Sequence, residues 1–222
     1  MSIQQNLKKI KSLLPEHVTL VAVSKTKPVS DLMEAYNAGQ RIFGENKIQE
    51  MVNKYENMPK DIEWHMIGHV QSNKVKYMAS FVHLIHGVDN FKLLKEINKQ
   101  AIKHGRVIDC LLQIKIATED SKFGMTPDEA SEVIKSDTFS ELKNIKIVGL
   151  MGMATFTNDE NQVKKEFDYL KSTFENLKLI NTHNYQLNTI SMGMSGDYQL
   201  AINCGSTMVR VGSSIFGARN YK

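Results

Sequence analysis

The chain reads as one α/β domain over residues 1–222, a closed (β/α)8 TIM barrel, and three observations predict it. Short apolar runs alternate with amphipathic stretches from end to end, the pattern of parallel strands joined by crossover helices. Eight such runs can be read, the number that closes this barrel. The turn after the first run is Ser24-Lys25-Thr26-Lys27-Pro28, with no glycine, whereas an open doubly wound sheet usually carries GxGxxG there. At 222 residues the chain is near the low end for a barrel, and no Ser/Gly, Pro-rich or like-charge tract marks a linker.

The first strand spans 19–25, where Leu20-Val21-Ala22-Val23 runs into Lys25 and Pro28 breaks the pattern. A helix is expected over 31–38 from Leu32, Met33, Ala35 and Tyr36, then a strand over 41–44 and a helix over 49–57. Strands over 63–68 and 84–88 follow, and a helix over 91–102 has apolar residues at 91, 93, 94, 97, 101 and 102. After a strand at 107–117, Thr126-Pro127-Asp128-Glu129 has the composition of a helix start: an N-cap threonine, proline at the first position and acids near the positive end of the dipole. A strand at 147–153 precedes the longest helix, 163–180, whose Phe167, Leu170, Phe174 and Leu177 form one stripe. Strands at 189–192 and 208–212 complete the eight.

Composition excludes several classes. A formal net charge of +4 with scattered lysines and no arginine-rich stripe does not point to nucleic acid. Cys110 and Cys204 belong to no CxxC or zinc spacing, which fits a reducing compartment and a thiol-free mechanism. Met1 to Asn6 lack the basic and apolar segments of a signal peptide, and no apolar run nears the ~20 residues of a membrane span. A cytoplasmic protein is expected.

Two clusters carry chemistry. Lys25, at the carboxyl edge of the first strand, lies where ligands bind in α/β proteins. Partial withdrawal from water lowers an amine's pKa and makes it a nucleophile toward carbonyls, and Lys27, two residues on, would share its face on a strand. The second cluster is Ser191-Met192-Gly193-Met194-Ser195-Gly196-Asp197, with Cys204-Gly205-Ser206-Thr207 and Arg210-Val211-Gly212-Ser213-Ser214-Ile215-Phe216-Gly217. Small residues let backbone N–H groups approach an anion, and barrels of this kind often hold phosphate in the loops after strands seven and eight. Ser195 and Ser213 add hydroxyl donors, and Arg210 shares a strand face with Gly212 and is placed to ion-pair or to meet an acceptor nitrogen on a ligand ring. An amine opposite a phosphate cradle fits a lysine-dependent aldolase acting on a phosphorylated sugar, or pyridoxal 5'-phosphate held as a Schiff base. A lysine on the first strand, together with Arg210, favours the cofactor.

Val23-Ser24-Lys25-Thr26-Lys27-Pro28, Phe43-Gly44-Glu45-Asn46, His65-Met66-Ile67-Gly68-His69-Val70-Gln71-Ser72-Asn73-Lys74, Ser121-Lys122-Phe123-Gly124, Gly149-Leu150-Met151, Ser191-Met192-Gly193-Met194-Ser195 and the segment from Arg210 to Gly217 resemble, in order, the signatures of the pyridoxal phosphate homeostasis protein family. The similarity runs from about residue 19 to 219. It implies a barrel like the N-terminal domain of fold-type III alanine racemase, with the cofactor covalently on Lys25. It implies phosphate contacts from Ser195, Gly212 and Ser213, with Ser191 a weaker candidate, and Arg210 facing the pyridine nitrogen. An arginine there keeps that nitrogen unprotonated, which suits a holder of the cofactor rather than a carbanion catalyst. His69-Val70, Gln113-Ile114-Lys115 and Gly152-Met153 depart from the family pattern.

The expected function is therefore intracellular buffering and delivery of pyridoxal phosphate, with amino- and keto-acid balance as the consequence and dependent apoenzymes as partners. No catalytic residue and no metal ligand is assigned, and a monomer is expected. The alternative is a fold-type III amino-acid racemase or lyase, but racemases of this fold take a tyrosine base from a second domain of a partner subunit, for which 222 residues leave no room. Asn46 is a further cofactor-contact candidate at the mouth. Gln71-Ser72-Asn73 could bond the cofactor's ring hydroxyl or a loop backbone, and Tyr198 has a weaker claim. His65 and His69 are spaced i, i+4 but sit on a strand and its exit, and His83 and His86 read as ordinary core or surface histidines.

Overall fold

A computed structural model describes residues 2–119, 123–180 and 182–218. Its eight strands are β1 (Thr19–Val23), β2 (Ile42–Glu45), β3 (Glu63–Met66), β4 (Leu84–Val88), β5 (Ile108–Gln113), β6 (Ile145–Met151), β7 (Tyr185–Met194) and β8 (Met208–Val211). All pair in parallel with their sequence neighbours, and β8 closes on β1 through Thr19↔Met208 to Ala22↔Val211. The predicted barrel is the observed one.

Helices α1 (Ile3–Leu13), α2 (Val29–Asn37), α3 (Ile48–Asn57), α4 (Phe91–Lys103), α5 (Pro127–Lys135), α6 (Asp137–Ser140), α7 (Glu160–Lys178), α8 (Tyr198–Asn203) and α9 (Ser213–Phe216) lie among them, with a 3-10 helix over Ser72–Tyr77. Their caps follow from sequence. Thr126 accepts from Glu129 N–H while the Glu129 carboxylate accepts from Thr126 N–H, and Ser2 and Gln5 make the same reciprocal pair.

Alternation sorts each strand's side chains between two cores. Leu20 and Ala22 pack outward, with Phe43, Trp64 and Met66, against the helices. Val21 packs inward with Ile67, Leu84, Leu111, Val148, Met151 and Met208, joined by half-buried Val23. Burying both faces of every strand gives the near-continuous apolar runs that made them legible.

Three strand ends near the site need correction. β1 stops at Val23, so Lys25 and Thr26 form a turn and Lys27 does not share a strand face with Lys25. Lys27 Nζ instead donates to Phe216 O at 2.8 Å and Ala218 O at 3.1 Å, closing carbonyls at the end of α9. β5 ends at Gln113 rather than 117. β7 runs to Met194, so Ser191 lies inside a strand and the loop begins at Ser195. Ser121 and Lys122 lie outside the described residues.

Candidate cofactor site at the barrel mouth

In a parallel barrel every strand's carboxyl end opens on one face. Lys25 follows β1, Asn46 follows β2, Ser195 follows β7, and Gly212 and Ser213 follow β8. Since β7, β8, β1 and β2 are consecutive around the wall, these residues occupy one arc of the rim.

Lys25 is half-buried and continues the inward parity of Val21 and Val23. Its turn is held from outside the wall. Ser24 Oγ donates to Glu45 Oε1 at 2.6 Å, and Lys54 Nζ from α3 donates to Ser24 O at 2.8 Å and Glu45 Oε1 at 2.7 Å. Thr26 adopts φ 66°, unusual for a β-branched residue, and its N–H donates to Glu50 Oε1 at 2.6 Å. Lys54 also pairs with that Glu50 oxygen at 2.7 Å. Burial pushes the Glu45 carboxyl up from its ordinary value, with Lys54 pulling the other way.

On the opposite flank Gly212 N–H donates to Ser195 Oγ at 3.0 Å, tying the β7 and β8 exits together. A Cβ on Gly212 would stand 3.0 Å from Val23 O, so β8 leaves the barrel tight against β1. Ser213 opens α9 and is exposed; Ser195 and Asn46 are half-buried. Gly68 packs so closely on Asn46 that a Cβ there would meet its carbonyl oxygen at 2.5 Å, which fixes the β2 exit.

Arg210 lies just inside this arc, 3% exposed. Its guanidinium donates to Ser191 Oγ at 2.6 Å and Gly152 O at 3.0 Å, both neutral acceptors. Burial draws it down to about 10, so it is charged at neutral pH. Ser191, fully buried, also meets His86 Nδ1 at 3.0 Å, and His86 Nε2 meets His65 Nδ1 at 3.0 Å. Burial holds His65 down to about 3 and His86 well below the ordinary imidazole value, so both are neutral.

The residues at the rim thus suit an anion with an aldehyde. Lys25 follows β1 and Arg210 lies on neighbouring β8, where its hydrogen bonds go to neutral groups, and the Gly212 N–H and the Ser195 and Ser213 hydroxyls follow at the β7 and β8 exits. The sequence reading anticipated this arc. It did not anticipate the histidine pair beneath Arg210, although the inward parity of His65 and His86 on apolar strands was available as a signal.

Comparison with known proteins identifies the family. The family described as alanine racemase, N-terminal domain, matches residues 1–220. The chain is 41% identical over 236 residues to a pyridoxal phosphate homeostasis protein of Pasteurella multocida, covering 100% of this chain and 99% of the relative. It is 42% identical over 206 residues to the protein of that name from Schizosaccharomyces pombe, covering 91% and 85%. Among solved structures, PipY of Synechococcus elongatus with pyridoxal phosphate bound superposes with TM-score 0.88 at 33% identity, over 97% of this chain and 100% of that one. An alanine racemase of Clostridium difficile shares the fold, with TM-score 0.80 at 17% identity, over 100% of this chain and 57% of that one.

Proposed function

The chain belongs to the alanine racemase N-terminal-domain family, and on that premise we propose that it is a pyridoxal 5'-phosphate-binding protein serving cofactor homeostasis. The observation that carries this reading is Arg210: a buried guanidinium with neutral partners, at the rim arc that also bears Lys25. Relatives at about 40% identity are named for pyridoxal phosphate homeostasis, and PipY binds the cofactor.

When bound, pyridoxal phosphate supplies an aldehyde that condenses with an amine and an aromatic ring that withdraws electrons. The residues divide the work. Lys25 would be the covalent partner, and Ser195, Gly212 and Ser213 would hold the phosphate. Asn46 would be a further contact from the β2 exit. Arg210 would face the ring nitrogen and, being a cation, would keep a proton off it. Ser191 acts through Arg210, since its hydroxyl is already engaged by Arg210 and His86.

Tuned in this way the ring is a poor carbanion sink, so the protein carries and releases the cofactor to apoenzymes and has no catalytic residue of its own. One domain, a monomer and a cytoplasmic setting complete the proposal; among the described residues no helix is long and apolar enough to cross a membrane. The test is borohydride reduction of the cofactor-loaded protein followed by peptide mapping. The tag belongs on Lys25, and Lys25→Ala should lose covalent cofactor and visible colour. A tag on another lysine, or robust racemisation of alanine, overturns the reading.

A further inference from the structure

We propose that the opposite, amino-terminal mouth of the barrel is a binding site for a divalent transition-metal ion of the Zn2+ type, formed by Glu63, His65 and His83. It stands apart from the cofactor reading, because these residues lie at the other end of the strands.

Glu63 and His65 are two apart on β3 and project inward together. His83 immediately precedes β4, and its N–H bonds Trp64 O at 2.8 Å, so the neighbouring strand delivers a second imidazole beside the first. The two rings are parallel within 4°, with centroids 5.7 Å apart. One ligand atom from each of the three residues lies within 4.8 Å of the others. Glu63 Oε2 and His83 Nε2 are 3.5 Å apart, close to the roughly 3.3 Å edge of a tetrahedron whose bonds are ~2.0–2.1 Å.

The pointer to a ligand is His65. Its Nε2 is buried and, among the described residues, has no hydrogen-bond partner; the residue is only 2% exposed. Buried polar atoms are ordinarily satisfied, and an orphan calls for a cause. His65 lines a cavity of about 280 Å³ shared with Glu63, His83, Asp109, Lys146 and Thr189. Its other nitrogen is already taken by His86 at 3.0 Å. A metal-binding imidazole needs its second N–H engaged in this way, which fixes the tautomer and the ring. With Nε2 given to a metal, Nδ1–H donates to His86 Nε2, and His86 Nδ1–H donates to Ser191 Oγ, which also accepts from Arg210.

Donor chemistry selects the ion. Two imidazoles and one carboxylate suit zinc and its neighbours, whereas calcium and magnesium take oxygen sets. Glu63 supplies one negative charge, and Asp109 and Lys146 in the same cavity offset each other. Three protein ligands leave a fourth position for water.

The test titrates chelator-stripped full-length protein with Zn2+ against a chromophoric chelator. One equivalent should bind, and Glu63→Gln and His83→Ala should each weaken binding at least about tenfold. Both side chains are about half exposed, so melting of these variants in chelator should match the parent. X-ray absorption should give nitrogen and oxygen at ~2.0–2.1 Å and no sulfur at ~2.3 Å. Lys25→Ala should bind Zn2+ as the parent does. The assignment is overturned by absence of saturable uptake, by affinity that survives both substitutions, by sulfur scatter from Cys110 or Cys204, or by loss of binding in Lys25→Ala.

Discussion

Replacing Lys54 by methionine tests how the Lys25 turn is held. Lys54 Nζ lies 2.7 Å from both Glu45 Oε1 and Glu50 Oε1 and 2.8 Å from Ser24 O. Lys54 and Glu45 are buried, and Glu45 Oε2 already lacks a hydrogen-bond partner among the described residues. Methionine fills the space and removes the charge, leaving a carboxylate in the wall with only Ser24 Oγ. Breaking one side of a buried pair costs about 3–5 kcal/mol, because the remaining charge is uncompensated. The variant also acquires a diagnostic pH dependence. With the Lys54 attraction gone, the folded pKa of Glu45 rises further above its unfolded value, so the folded state binds more protons. Stability is then present below the unfolded pKa and lost as pH rises through the folded one. Urea unfolding should show Lys54→Met less destabilised near pH 5 than near pH 8. Adding Glu45→Gln should recover at least half of the loss, since the offending charge is gone. A single-variant loss below about 1 kcal/mol, or a double variant no better than the single, would refute the argument.

The buried histidines predict acid sensitivity in metal-free protein. His65 is held down to about 3 and His86 well below 6.5, so the unfolded chain binds more protons below about 6.5. Stability should fall as pH drops from 6.5 to 5, by up to about 1.4 kcal/mol per pH unit for each histidine; a flat urea midpoint across that window contradicts it. Gly149→Ala would place a Cβ 1.9 Å from Thr189 O on β7. Overpacking usually costs about 1–3 kcal/mol, and against backbone the loss should reach or exceed the top of that range, so a melting temperature within a degree or two of the parent would be the contrary result.

The strands were legible because both of their faces are buried, as Val21 and Ala22 show: one packs into the barrel and the other under the helices. The longer helices were legible from apolar spacing and caps, as at Thr126. Short elements carried too few turns to show a period. Hence α6, α8, α9 and the 3-10 helix over Ser72–Tyr77 were not anticipated, and neither was α1, which buries only Leu7 and Ile10. Strand ends blurred where apolar character outlasts pairing, as at Ile114, Ile116 and Ala117, which are buried beyond the end of β5. At the mouth, the glycines, serines and Lys25 were visible as composition. The Glu45–Lys54–Glu50 brace was not, because it joins β2 and α3 to the β1 turn through side chains that look like ordinary surface charges in the sequence.

Glu45 and Arg210 show how one wall serves two demands. A barrel interior is ordinarily filled by layers of branched apolar side chains, and the lower interior keeps to that with Val21, Leu84, Leu111 and Val148. Beside them a hydrogen-bonded polar column starts at His65, level with Leu84, and runs through His86 and Ser191 to Arg210 beneath the rim. A buried guanidinium hydrogen-bonded to neutral oxygens is costly, and the Asp197 carboxylate, whose field favours the charged form, offsets part of that cost. A ligand that offers Arg210 a further acceptor would offset more, with binding energy adding to folding stability. Lys25 need not be buried by that column at all. It is aimed from the far side of the wall, where Lys54 and Glu50 fix Ser24 and Thr26 on either side of it. Cofactor grip and lysine placement are thus set by separate networks, and a substitution in one can alter occupancy without dismantling the other.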